Sequence, residues 1–133
     1  MTGRQPACCK IQVFAPPEQP LSPELPVQRQ LDAYNARDLA RFVAEYADDV
    51  QLFRPPAAQP VIAGKAAMAE HYATKRFNLP GLHAALVNRM VLGNKVIDHE
   101  RITGIGDVPV DAAVVFEVNA MGLIGKVWFF ASE

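Results

Sequence analysis

VQRQLDAYNARDLARFVAEYADDVQLFRP, residues 27–55, decides how this chain is read. Val27, Leu31 and Tyr34 recur at the spacing of one helix face, and after a polar break at residues 35–38 the residues Leu39, Phe42, Val43 and Tyr46 do so again. Past Asp48 and Asp49 the period changes to two. That puts Val50, Leu52 and Arg54 on one side of a strand and Gln51 and Phe53 on the other. Two amphipathic helices therefore run directly into a strand whose inward row ends in a guanidinium, and a charge sent inward needs a carboxylate, a phosphate or a ligand oxygen.

Downstream, residues 55–60 read as a loop and Val61 with Ile62 as a short return strand. Gly64 then opens a third helix, on which Met68, His71, Tyr72 and Lys75 share a face while the neighbouring alanines supply helix propensity. From Leu82 onward the pattern is β, with strands over 82–92, 95–103, 108–118 and 123–131 and a two-residue Gly93-Asn94 turn joining the first two. Helices gathered before strands predict an α+β fold: a strongly curved, mostly antiparallel sheet wrapped around three N-terminal helices, with a cone-shaped space between them. Upstream, residues 1–26 hold six of the chain's eleven prolines and no amphipathic period. Residues 1–22 are therefore read as an extended arm and residues 23–133 as a single domain.

A length of 133 residues, half of them hydrophobic, suits one ordinary core. The formal net charge of −1, with Lys and Arg scattered along the chain, gives no field to attract nucleic acid. No apolar run approaches the roughly 18 residues of a membrane span, and the stretch at 11–15 is too short for a secretory leader. Cys8 and Cys9 are adjacent, which is neither a disulfide framework nor a metal-ligand spacing; the pattern suits a reducing cytoplasm and leaves a reactive dithiol as a minor alternative. The three histidines lack metal-binding spacing, and there is no phosphate-cradling glycine loop. Neither a metal nor a cofactor is expected.

The helix–helix–strand opening, together with GKAAMAEHY at residues 64–72, resembles the nuclear transport factor 2-like (cystatin-like) superfamily, in its ketosteroid isomerase and SnoaL-like branch. That superfamily includes isomerases, dehydratases, cyclases, hydrolases and non-catalytic binding proteins, so the likeness implies a fold and a cavity rather than a reaction. The isomerases use a carboxylate base, with a tyrosine and a protonated aspartic acid donating to the dienolate. By the resemblance the tyrosine position falls on Gln30, the base on Arg54 and the protonated acid on Val114. An arginine stays protonated and cannot act as the base, so steroid isomerisation by that route is not expected. Two further tyrosine positions of the family fall on Tyr46 and Tyr72.

Arg54 is the first candidate anchor for a ligand. Asp98 and Glu100 share a strand face with Val96 and Ile102, so either carboxylate is a candidate base, or the partner that closes Arg54 into a structural ion pair. Arg54 or Tyr72 would be the electrophilic group. His71 stands beside Met68 and Tyr72 as a candidate acid–base group or a core histidine, and His83, by the resemblance, faces the cavity mouth. Gln30 and Tyr34, one helical turn apart, can present polar tips to a ligand, while Phe116 and Phe129 suit the pocket wall. His99 and Arg101, on the opposite face with Ile97, read as interface or solvated residues, and Trp128 with Phe130 suits a homodimer through the outer sheet face. The expectation is a dimeric protein binding a small apolar molecule with a carbonyl or carboxylate group, and any chemistry would be cofactor-independent isomerisation, dehydration or cyclisation. The alternative is a non-catalytic binding or protein-interaction module.

Overall fold

A computed structural model of the chain describes residues 22–131. The proline-rich arm, apart from its last residue Ser22, and the Cys8-Cys9 pair lie outside the described residues. Helix α1 (Glu24–Ala36) starts at Pro23, and Ser22 Oγ accepts the Glu24 N–H at 3.3 Å. Pro26 is buried in the first turn, where a missing N–H costs nothing. Arg37 ends the helix in the left-handed region (φ 53°), its N–H turned back onto the Ala33 and Tyr34 carbonyls. Asp38 then caps α2 (Leu39–Val43) by accepting the Arg41 N–H at 3.2 Å.

Tyr46, placed by its spacing on the second helix, instead opens strand β1 (Tyr46–Phe53). The last strand captures the chain here: the Ile124 N–H donates to the Glu45 carbonyl at 2.9 Å, and Tyr46 pairs with Ile124. Asp48 and Asp49, expected before the strand, lie within it and are exposed, next to an irregularity between Tyr46 and Gln51. There follow β2 (Ile62–Ala63), α3 (Lys65–Lys75), β3 (His83–Leu92), β4 (Lys95–Thr103), β5 (Val110–Val118) and β6 (Ile124–Ala131).

The six strands form one curved sheet in the order β2-β1-β6-β5-β4-β3, with β1 and β6 parallel and every other neighbouring pair antiparallel. The fold is the expected α+β cone. Val27, Leu31, Phe42, Met68 and Tyr72 from the helices bury against Val50, Leu52, Val96, Val114, Ile124 and Val127 on the inner sheet face. Phe42 gathers Tyr34, Tyr46, Tyr72 and Phe77 around its ring at centroid distances of 4.7–6.1 Å.

The two sheet faces differ because the side-chain period is two. On the outer face Phe53, Trp128, Val115, Ile97 and Met90 fall opposite one another across five strands. Phe53 and Trp128 stack at 5.6 Å. At the narrow crossing between the entry to β3 and the exit of β4, Gly104 has φ +90°, and a Cβ there would run into the Gly81 carbonyl and come within 2.6 Å of the Leu82 nitrogen.

Asp98 on β4 is fully buried, and Arg89 on β3 grips it in a fork, Nε to Oδ1 at 2.7 Å and Nη2 to Oδ2 at 2.9 Å. The same guanidinium reaches Gln28 Oε1 at 2.8 Å and Glu24 Oε2 at 3.3 Å, so this one charge group ties the sheet to α1.

Candidate functional site

Between the helices and the inner sheet face lies a cavity of about 270 Å³ that opens to solvent. Its wall is mainly apolar, with Leu31, Leu52, Ile102, Val114, Phe116 and Phe129 among the lining side chains. Strand alternation supplies its one carboxyl, because Glu100 follows Val96 and Asp98 on the inner row of β4 and reaches the cavity. It is only 7% exposed and accepts no hydrogen bond among the described residues. Burial pushes its carboxyl from 4.5 up to about 7; the neighbouring Asp98 adds to the rise and Arg89 opposes it. Near neutral pH this group exchanges a proton readily.

Three tyrosines enclose the same space. Tyr46 donates its O–H to Gln30 Oε1 at 2.9 Å, and Gln30 Nε2 donates to the Val27 carbonyl at 3.0 Å, so both amide ends of Gln30 are engaged. Burial holds the Tyr46 and Tyr72 hydroxyls well above the usual phenol range. Tyr34 is pushed by burial up to about 12, while the Arg76 guanidinium against its oxygen opposes the rise. A tyrosine oxygen that accepts from Arg76 keeps its own proton to give, and the Tyr72 O–H has no hydrogen-bond partner among the described residues. Glu100 acts electrostatically on all three rings, which places one ionisable carboxyl among three protonated phenols.

The SnoaL-like domain family model matches residues 27–126, from the first core residue of α1 into β6. The chain belongs to the SnoaL-like domain family. A search of the curated proteins returns no significant match. Among solved structures, an uncharacterized cystatin fold protein from Novosphingobium aromaticivorans is 21% identical, with 83% of this chain and 98% of that one covered at a TM-score of 0.73. A SnoaL-like protein of unknown function from Burkholderia thailandensis is 20% identical, with 86% and 100% covered at 0.71. A computationally designed 17-OHP binder is 17% identical, with 84% and 93% covered at 0.70. At these identities the likeness is one of fold.

In this SnoaL-like domain Gln30, Tyr34, Tyr46, Arg54, His71, Tyr72, Glu100, Val114, Phe116 and Phe129 all line the cavity, whereas Asp98 and His83 do not. Asp98 cannot serve as a base there, because its carboxylate is sealed in the Arg89 fork. His83 is exposed and points away from the buried Ala84, whose N–H and carbonyl are both held by the Asn35 amide at 2.8 and 2.9 Å. Arg54 needs a different correction. It lies on the expected side but one residue past the end of β1, and its head is exposed at the rim, 5.4 Å above the Phe129 ring. It pairs with neither Glu100 nor Asp98.

Arg76 was missed by sequence reasoning, although it lies four residues beyond Tyr72 and eight beyond Met68, on the same stripe just past the end of α3. His71 packs edge-on to Tyr72 at 5.2 Å, and its pKa is lowered by burial and then by Arg76, Arg54 and Lys75, which keeps the ring neutral at neutral pH. His99 and Arg101 lie on the outer face, both hydrogen-bonded to Asp111. Among the described residues no group of three or more His, Cys, Asp or Glu side chains could hold a metal ion, and no helix is long and apolar enough to cross a membrane.

Chemically, a carboxylate beside phenolic donors is suited to taking a proton from a carbon next to a carbonyl while the phenols receive the negative charge that develops on oxygen.

Proposed function

We propose that this domain binds a small organic molecule bearing a carbonyl or carboxylate group in the cavity and moves a proton on it without a cofactor. Glu100 takes the proton from the carbon next to the carbonyl, the C–H electron pair shifts onto the carbonyl oxygen, and Tyr34 and Tyr72 donate to the resulting enolate. Return of the proton from Glu100 to the same or another carbon completes an exchange or an isomerisation, and expulsion of a leaving group from the enolate gives elimination. The observation that carries this reading is Glu100 itself: a buried carboxyl with no ion-pair partner among the described residues, facing an open cavity, where burial pushes its pKa up to about 7. An apolar replacement would fill that position without the cost of desolvating a charge.

The test is deuterium uptake. Small cyclic and linear ketones incubated with the protein in deuterated buffer should exchange their α-protons faster than in buffer alone, with a rate that rises as pH passes about 7. Glu100→Gln should return the rate to background. Ketones that bind without any exchange would leave a binding protein and remove the catalytic role.

The outer face supports a second copy of this chain as a partner. The in-register row from Phe53 to Met90 is apolar, Met90 is 55% exposed and Phe130 47% exposed, and Lys126, Glu117 and Lys95 form the adjacent charged row. Sedimentation should find a dimer that Met90→Glu dissociates.

A further inference from the structure

Among the described residues the arginines divide into two groups. Arg29, Arg41, Arg89 and Arg101 each meet a carboxylate, and Arg37 donates to the Leu82 carbonyl at 3.1 Å. Arg54 and Arg76 meet none, and both line the cavity. Phe129 holds the Arg54 guanidinium from below, and Arg76 is anchored by Nη1 donating to the Lys75 carbonyl at 2.9 Å. His71 lines the same cavity, and both cations act on its imidazole, as does Lys75. Glu100, the cavity's carboxyl, forms no ion pair with either guanidinium, although all three act on the Tyr72 ring.

We propose that Arg54 and Arg76 form an anion clamp at the cavity, and that the ligand is an organic carboxylate whose head lies between them and whose apolar body reaches inward toward Glu100. This rests on the cavity being the binding site, as proposed above, and adds the class of ligand. Two planar guanidiniums match the two oxygens of a carboxylate, and a charge-assisted contact in a half-closed apolar site is strong.

The experiment is a ligand-observed NMR screen of the full chain against small carboxylic acids and their matched primary amides, with inorganic phosphate as a competitor. Acids should bind at least about tenfold more tightly than their amides, and Arg54→Gln and Arg76→Gln should each weaken the acids by roughly tenfold and the amides by clearly less. In the unmutated protein, acid binding should raise the His71 titration midpoint, since the bound anion offsets Arg76 and Arg54, which with Lys75 add to the lowering by burial, and the amide should leave it in place. Amides binding as well as acids would overturn the carboxylate assignment and leave the cavity as a binding site. Phosphate displacing the acids at comparable concentration would overturn it in favour of a bare anion site. If neither acids nor amides bind, both this inference and the binding function on which it rests fail.

Discussion

Replacing Glu100 by glutamine should make the protein more stable, and by an amount that depends on pH. Folding carries this carboxyl from 4.5 to about 7 through burial beside Asp98. At about 1.4 kcal/mol per pH unit, keeping it ionised inside the fold costs roughly 3 kcal/mol. Below about pH 4.5 both the folded and unfolded chains hold the proton and there is no cost. Between the two values the unfolded chain has released the proton while the folded chain keeps it, so stability falls as pH rises. Above about pH 7 both are ionised and the cost is complete. Glutamine has nearly the same shape and no charge. Urea unfolding of the two proteins should therefore agree near pH 4, diverge through about pH 6, and differ by a constant roughly 3 kcal/mol at about pH 8. At about 3–5 °C per kcal/mol, that corresponds to a melting temperature roughly 10 °C higher for Glu100→Gln. A difference that is the same at every pH, or a variant less stable at about pH 8, would refute the claim that this carboxyl is desolvated and unpaired. If the deuterium exchange proposed for Glu100 is lost in the same variant, the stability gained measures what the site costs the fold.

Arg89→Met should destabilise the chain by about 3–5 kcal/mol, because it strands the fully buried Asp98 without its fork; denaturant melts at neutral pH check this, and pairing the change with Asp98→Asn should recover much of the loss. Gly104→Ala should cost about 1–3 kcal/mol, since the added methyl group meets the Gly81 carbonyl from a left-handed backbone, and a fall in melting temperature of a few degrees would register it. Tyr46→Phe should cost about 1–3 kcal/mol by leaving Gln30 Oε1 buried without its donor, and an equilibrium unfolding midpoint indistinguishable from the parent would contradict the hydrogen bond at 2.9 Å.

The architecture was legible because it rests on periods. The switch from helical spacing to alternation after Asp49 located β1, and Gly93-Asn94 located the β3–β4 hairpin. Alternation also sorted Phe116 and Phe129 inward from Trp128 outward. The errors fell where a tertiary partner overrules a local pattern. Tyr46 continues a helical stripe by spacing, yet the Ile124 strand pairs with it. Arg54 keeps the parity of Val50 and Leu52, but parity says nothing of where a strand stops, and one residue beyond its end the side chain rises to the rim. Arg76 continues the stripe of Met68 and Tyr72 one residue past the end of α3, where helical spacing no longer dictates a side chain's direction.

The most consequential distinction in the site, between Asp98 and Glu100, was partly within reach. Both lie on the inner row of β4 two residues apart, and alternation treats them alike. What separates them is register. A two-residue turn at Gly93-Asn94 sets Leu92 opposite Lys95 and so carries Arg89 opposite Asp98, on the same face and close enough for a fork. Counting along the hairpin from that turn pairs Arg89 with Asp98 from the sequence alone. Glu100 lies beyond the irregularity between Leu86 and Asn88, so its cross-strand neighbours are Leu86 on β3 and Ala112 on β5, and neither can carry a charge. That slip of one residue is invisible in the sequence, because nothing in Val87 marks a bulge. The slip does not decide the charge, since without it Glu100 would face Val87, equally uncharged; the hairpin count alone puts a cation opposite Asp98, making it a strut between the sheet and α1, and none opposite Glu100, which faces the cavity.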